Sequence, residues 1–288
     1  MLKTEGKTDT PLRGDYSAMR ADYTIEQGWE KYTDEEHALW RQLYERQTAL
    51  LPRYAAPEYL ECLGRLNAAD GIPDFRRATE VVHKATGWEL VAVPGLIDEN
   101  AFFTHLSERR FPVTNWLRTP EEMDYLVEPD VFHDFFGHVP LLIHPVFADY
   151  MQAYGKGGLR AMKLGTMENL TRLYWYMVEF GLLNTKDGLK AYGAGILSSA
   201  GETVYCIESP EPNRIGFDLE RVMRTKYRID DYQETYFVLE SYEQLFDATS
   251  QDFGPIYERL RGLPDFAATE VLPDDKVYTR GTGRKRAA

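Results

Sequence analysis

The segment EPDVFHDFFGHVP, residues 128–140, constrains this chain more than any other stretch. His133 and His138 lie five positions apart, which on a straight α-helix points them about 140° away from each other. They serve one purpose together only if the helix changes course between them. Pro129 suits the first turn of a helix, where its missing N–H has no helical partner. Glu128 and Asp130 suit that electropositive end. Gly137 suits the C′ position, and Val139-Pro140 follows it. The expectation is a short helix over about 129–136 that stops at Gly137, so that the two imidazoles converge. The H-E-x-x-H zinc motif, with ligands at i and i+4, does not match. Spacing alone leaves two ordinary histidines near a helix end as an equal alternative.

Glu179 breaks that tie. It is the only acid between Leu173 and Leu183, set among Tyr174, Trp175, Tyr176, Met177, Val178 and Phe180. A glutamate is almost never fully buried without a partner. Arg172 is seven positions away, outside the reach of an i, i+4 pair. Two imidazoles and one carboxylate form the facial ligand set of non-haem Fe(II) oxygenases, which leaves coordination positions open for oxygen chemistry. The same three ligands also suit a catalytic zinc, so a zinc hydrolase stays open at this point. A 2-oxoglutarate oxygenase fits less well, because its H-x-D motif sits on strands, whereas Asp134 directly follows His133 in a helical context.

Charge and composition exclude other classes. The 288 residues carry a formal net charge of −13, which argues against a nucleic-acid or anionic-membrane partner. No run of eighteen apolar residues is present, so no membrane span is expected. The opening MLKTEGKTDTPLRGDYS lacks an apolar core and gives no secretory signal. Only Cys62 and Cys206 occur, and they are expected to stay reduced in a cytoplasmic setting.

The periodicity predicts a predominantly α-helical fold, α+β with a few short strands and no βαβ alternation. Thr33 and Glu36 form a capping box that opens a helix through about 51, ended by Pro52. Further helices are expected near 57–66, 74–85, 98–107, 146–164, 167–183 and 217–225. A last helical stretch is expected over 241–261, capped by Ser241. Strands are expected at Trp88–Val93 and Glu234–Leu239. The domain reading is a flexible segment 1–22, a single catalytic domain 23–268 and a tail 269–288. The tail contains Pro273, Gly281 and Gly283 and no sustained heptads, so a monomer is expected. His37, His83 and His105 are expected to be surface or half-buried, and His144 structural.

Three motifs, EPDVFHDFFGHVP, YWYMVEFGL and KAYGAGILSSAGE, occur together in an order and spacing that resembles the pterin-dependent aromatic amino acid hydroxylases, and most of all their short bacterial members that act on phenylalanine. The resemblance runs from about Tyr23 to Ala268. It implies the catalytic-domain fold of that family, Fe(II) held by His133, His138 and Glu179, and a tetrahydropterin cosubstrate. It implies hydroxylation of L-phenylalanine to L-tyrosine with O2, with tyrosine or tryptophan as the alternative substrate.

The resemblance also assigns residues whose types alone say little. Gly95, Leu96 and Ile97 would form the pterin loop, and Phe102, otherwise an ordinary core aromatic, would stack on the pterin. Asp134 stands where many relatives have glutamate, so a water-bridged pterin contact is expected. Arg118 would grip the substrate carboxylate through its planar fork. Pro129 and Trp175 would wall the substrate ring. Ser198 would hydrogen-bond a metal-bound histidine, and Glu202 would help hold amino acid or pterin. Ser198 also occupies the third glycine position after Gly193 and Gly195, which removes a dinucleotide loop. Ile229 is apolar where tyrosine-specific relatives carry an acid, which favours phenylalanine.

Overall fold

The computed structural model describes residues 12–124 and 126–283. The first eleven residues of the expected flexible segment and the basic end at 284–288 lie outside the described residues. The chain divides into two compact units, one of residues up to Ala49 with Pro57–Arg160, the other of Leu50–Ala56 with Ala161 onward. Composition gave no sign of this division within 23–268.

In the first unit the predicted capping box is present: the Thr33 N–H donates to Glu36 Oε2 at 2.8 Å and the Glu36 N–H to Thr33 Oγ1 at 3.2 Å. It opens α1, Asp34–Tyr54. Pro52 does not end this helix, because the ladder resumes beyond it with Ala55 N–H donating to Leu51 O at 2.8 Å. Next come α2, Pro57–Gly64, and α3, Phe75–Thr86, capped by Asp74, which accepts the Arg76 N–H. Then follow β1, Glu89–Val93, α4, Glu99–Ser107, β2, Arg110–Thr114, and, beyond the histidine segment, α5, Pro145–Leu164.

Strands β1 and β2 pair in parallel, from Glu89 opposite Arg110 to Val93 opposite Thr114. The sequence hid β2 because Pro112 sits at its centre. In a two-stranded sheet each strand keeps an open edge, where a missing N–H breaks no ladder bond. Trp40, Trp88, Phe103 and Phe132 are fully buried in this unit.

In the second unit the expected helix 167–183 is interrupted. Helix α6, Met167–Tyr174, passes into a π-helical turn at Trp175–Glu179, and Leu182–Thr185 is already strand β3. A continuous apolar run reads equally as buried helix or buried strand. The order continues with β4, Gly188–Ala191, α7, Ala194–Leu197, α8, Ala200–Glu208, β5, Asn213–Gly216, α9, Leu219–Met223, and β6, Thr235–Leu239. Helix α10, Tyr242–Thr249, is capped by Ser241 as predicted, but the expected single helix breaks before α11, Gly254–Leu260, where Pro255 sits in the first turn.

A mixed sheet of order β4-β3-β6-β5-β7 forms the centre of this unit. The β3–β6 and β5–β6 pairs are parallel, and β3–β4 is antiparallel. Its last strand, β7, Val277–Thr279, lies antiparallel to β5. Residues expected to be a tail are therefore built into the sheet, and Gly281 N–H donates to Asn213 Oδ1 at 2.9 Å. The composition is predominantly helical with short strands, as the pattern predicted. Among the described residues no helix is long and apolar enough to cross a membrane.

Candidate active site

The histidine segment converges by a different device from the predicted helix end. Phe132–His138 is a π-helical turn, and Gly137 lies buried inside it rather than at a C′ position. Winding with i→i+5 bonds carries residues five apart onto one face, which an α-helix cannot do. The His133 and His138 rings stand 5.2 Å apart at 78°. Pro129 precedes the helical turn, and Asp130 acts as its cap, with Oδ1 accepting the His133 N–H at 2.9 Å.

Apolar rings anchor the other faces of the turn. Phe132 stacks on Phe136 at 4.7 Å, and Trp40 meets Phe132 edge-on at 5.2 Å. The Tyr59 hydroxyl donates to Phe136 O at 2.5 Å. Widening a helix leaves carbonyls poorly paired, and a buried hydroxyl is a suitable donor for one of them.

His133, Asp134 and His138 form a cluster in which the available ligand atoms all lie within 4.8 Å of one another. Two ligand atoms across one ion at bond lengths near 2.1 Å stand at most about 4.2 Å apart, so small rotations bring imidazole nitrogens onto a common ion. The donor set fits a transition metal that accepts imidazole and oxygen. Asp134 has one oxygen engaged, since Oδ2 accepts the Thr114 N–H at 2.8 Å.

Arg118 and Asp130 form a buried ion pair beside this cluster. Asp130 accepts four hydrogen bonds: from the Arg118 backbone N–H, Nε and Nη2, and from the His133 N–H. Burial would raise the Asp130 pKa, but the adjacent guanidinium and the donated bonds outweigh it and hold the carboxyl below its usual value. Sequence reasoning gave Asp130 only a place at a helix end. The Asp–Arg spacing of twelve residues carries no local signal of the pair. Gly95 is buried with a left-handed φ of +148°, Ile97 is buried, and Phe102 is buried edge-on to Phe103 at 5.6 Å, packed as a core aromatic.

In the second unit, Glu179 ends the π-turn and is 1% exposed. Trp175 opens that turn, stacks on Tyr227 at 4.5 Å and donates its Nε1–H to Gln233 Oε1 at 2.9 Å. Glu202, in α8, is buried, not a surface acid; its Oε1 accepts the Tyr236 hydroxyl and the Gln233 N–H. Ser198 is buried at the end of α7, its hydroxyl donating to Ala194 O at 2.8 Å. Gln233 and Tyr236 went unnoticed in the sequence, because a lone glutamine beside a strand has no pattern. Ile229 lies exposed on the loop before Gln233.

The remaining histidines divide. His144 accepts the Phe147 N–H at the start of α5, a structural role as expected. His105, expected at or near the surface, is instead fully buried and bonds Asp22 O at 2.8 Å. Both cysteines are buried and free.

Two histidines gathered by a π-turn, beside buried carboxylates in a helix-dominated α+β chain, define a non-haem metal enzyme. Residues 16–256 match the biopterin-dependent aromatic amino acid hydroxylase family, and the chain belongs to that family. Its relatives include the phenylalanine-4-hydroxylases of Ralstonia nicotianae, 57% identical over 93% of this chain and 86% of the relative, and of Caulobacter vibrioides, 57% identical over 91% and 90%. The iron- and phenylalanine-bound crystal structure of the Chromobacterium violaceum phenylalanine hydroxylase superposes with a TM-score of 0.86 at 56% identity, covering 90% of this chain and 96% of that one. The cobalt-bound structure of the same enzyme gives 0.88 at 57%, covering 90% and 94%. These matches leave the zinc-hydrolase alternative without support.

Proposed function

We propose that this chain is a phenylalanine 4-monooxygenase that converts L-phenylalanine and O2 to L-tyrosine with a tetrahydropterin as reductant. The observation that carries the reading is the π-turn that gathers His133 and His138 in a member of this family. His133, His138 and Glu179 are the proposed iron ligands. For Glu179 the support is chemical, a nearly fully buried carboxylate in an otherwise apolar and aromatic run. Ferrous iron, when bound, activates oxygen, and the pterin supplies the two electrons that iron alone does not.

The chain's own groups bind and orient. Nη1 and the second N–H of Nη2, which Asp130 does not engage, are the Arg118 donors left for the substrate carboxylate. Asp130 fixes the guanidinium plane and, through the His133 N–H, the start of the ligand turn, so one carboxylate sets both. Trp175, held by Gln233 and Tyr227, and Pro129 are proposed to wall the substrate ring. Ser198 is proposed to orient a ligand histidine, and Glu202 to brace the Gln233 backbone. The backbone of Gly95, Leu96 and Ile97 is proposed to receive the pterin edge, with Phe102 behind it. Asp134, with Oδ2 held by Thr114, keeps Oδ1 for a bridging water. A monomer working in the cytoplasm completes the reading; two buried, unpaired thiols support the reducing setting.

The test is chromatographic detection of tyrosine from L-phenylalanine with Fe(II), oxygen and a tetrahydropterin, each omitted in turn. Tyrosine formed only with all three, and lost in His138→Ala, is the expected result. Faster turnover of L-tyrosine or L-tryptophan than of L-phenylalanine would defeat the substrate assignment.

A further inference from the structure

Residues 13–16 lie against the loop at 94–96. The Gly14 backbone approaches so closely that a Cβ there would fall 1.6 Å from Pro94 O. The Arg13 N–H donates to Glu128 Oε2 at 3.2 Å, and its guanidinium lies 4.5 Å over the Trp116 ring. Trp116 Nε1–H in turn donates to Pro94 O at 3.1 Å. Asp15 accepts the Ser17 N–H at 2.9 Å and so starts a single 3-10 turn, Tyr16–Ala18. From that turn the Tyr16 hydroxyl donates to Leu96 O at 2.9 Å.

Gly95 is where these groups meet. A Cβ on Gly95 would lie 2.6 Å from Glu128 Oε1 and 2.9 Å from the Tyr16 hydroxyl. The missing side chain is the space that both groups use, and φ of +148° independently requires glycine. Burial, and then the Glu128 charge, push the Tyr16 pKa up to about 12, so the phenol keeps its proton as a donor at neutral pH.

The consequence for the loop follows from peptide geometry. In a trans peptide the C=O and the following N–H point in opposite directions. Trp116 fixes the Pro94 carbonyl, and with it the direction of the Gly95 N–H. Tyr16 fixes the Leu96 carbonyl, and with it the direction of the Ile97 N–H. Two donors of the loop are thus aimed by side chains that stand behind the opposite ends of their peptide planes.

The geometry points to Tyr16 as a positioning residue for the pterin: through Leu96 O, and with Glu128 packed against Gly95, it holds the Gly95–Leu96 backbone so that the loop's amides are preset for a flat heterocyclic edge. The inference rests on reading residues 95–97 as the pterin loop. Tyr16 acts through the backbone, so its loss weakens pterin binding and leaves the chemical step intact.

The experiment measures the dissociation constants of a 7,8-dihydropterin and of L-phenylalanine on the iron-loaded full chain by titration calorimetry, together with KM and kcat for the tetrahydropterin. Tyr16→Phe removes only the hydroxyl, and Glu128→Gln removes the charge at the same point. Loss of one hydrogen bond predicts a rise of about three- to tenfold in the dihydropterin Kd and in pterin KM for Tyr16→Phe, with L-phenylalanine Kd and kcat unchanged. A dihydropterin Kd within twofold of the parent, or an equal loss for L-phenylalanine, overturns the inference. Gly95→Ala separates the two levels: if it weakens dihydropterin while Tyr16→Phe does not, the positioning role fails and the loop reading stands. If Gly95→Ala folds and binds dihydropterin as the parent does, the loop reading itself fails.

Discussion

Arg118 and Asp130 form a buried two-point ion pair, with Nε to Oδ2 at 2.8 Å and Nη2 to Oδ1 at 2.9 Å. The pair joins two segments that lie twelve positions apart in the sequence. Asp130 Oδ1 also receives the His133 N–H at 2.9 Å. One carboxylate therefore fixes both the Arg118 guanidinium plane and the start of the turn that carries His133 and His138.

Asp130→Asn keeps the shape and removes the charge that offsets buried Arg118. Breaking a buried pair from one side costs about 3–5 kcal/mol, because the remaining charge is left uncompensated. Urea unfolding should show a loss of that size, and KM for L-phenylalanine should rise more than KM for the pterin. A loss under about 1 kcal/mol would mean that water reaches Arg118 and that the pair is not the buried hinge of the site.

Iron binding should raise thermal stability, since an ion that binds only the folded state adds about 2.7 kcal/mol at a hundred times its Kd. Chelated protein should melt lower than Fe(II)-loaded protein, and His133→Ala should abolish the difference. The metal-sized cluster contains Asp134 as well as the two histidines, so Asp134→Asn and Glu179→Gln decide which carboxylate is the ligand. The iron-dependent shift in melting temperature should survive in Asp134→Asn and be lost in Glu179→Gln. The reverse pattern would move the third ligand to Asp134.

The ligand pair was legible in the sequence because its residue types are chemically rare together, whereas the geometry that joins them was not. An i, i+5 spacing reads as divergence on an α-helix, and nothing in FHDFFGH announces a π-turn that buries Phe132, Phe135 and Phe136. Helix ends with side-chain caps, Thr33–Glu36 and Ser241, were read correctly because a cap is a local interaction. Strands β2, β3, β4, β5 and β7 were missed because each is only three to five residues long, too short for a periodic pattern to stand out. Residues 13–16 looked like a polar, unstructured start, and only the fold shows what they hold down.

Gln233→Ala should act through Trp175. The indole N–H at 2.9 Å from Gln233 Oε1 would be left buried without its acceptor, at a cost of about 1–3 kcal/mol. The ring can recover that only by turning, which reshapes the proposed wall of the substrate pocket. KM for L-phenylalanine is expected to rise several-fold while the iron-dependent melting shift stays as in the parent. An unchanged KM would remove Trp175 from the substrate wall.

His105 should give the protein an acid-sensitive stability step in unit one. Burial lowers its pKa, opposed by the bond to Asp22 O, reinforced by Arg110, and opposed again by Asp22 and Glu108. The folded protein holds the ring neutral, while the unfolded chain takes a proton near pH 6.5. The stabilising contribution is therefore complete above that pH, and it declines as the pH falls from about 6.5 towards the lower folded value. Asp130, held below the ordinary carboxylate value, loses its contribution only under about pH 3.9, so the two windows separate. His105→Gln keeps an N–H donor for Asp22 O and cannot titrate. Urea midpoints measured at pH 8 and pH 5.5 should fall more for the parent than for His105→Gln; equal declines would show that protonation of His105 is not the acid-labile step.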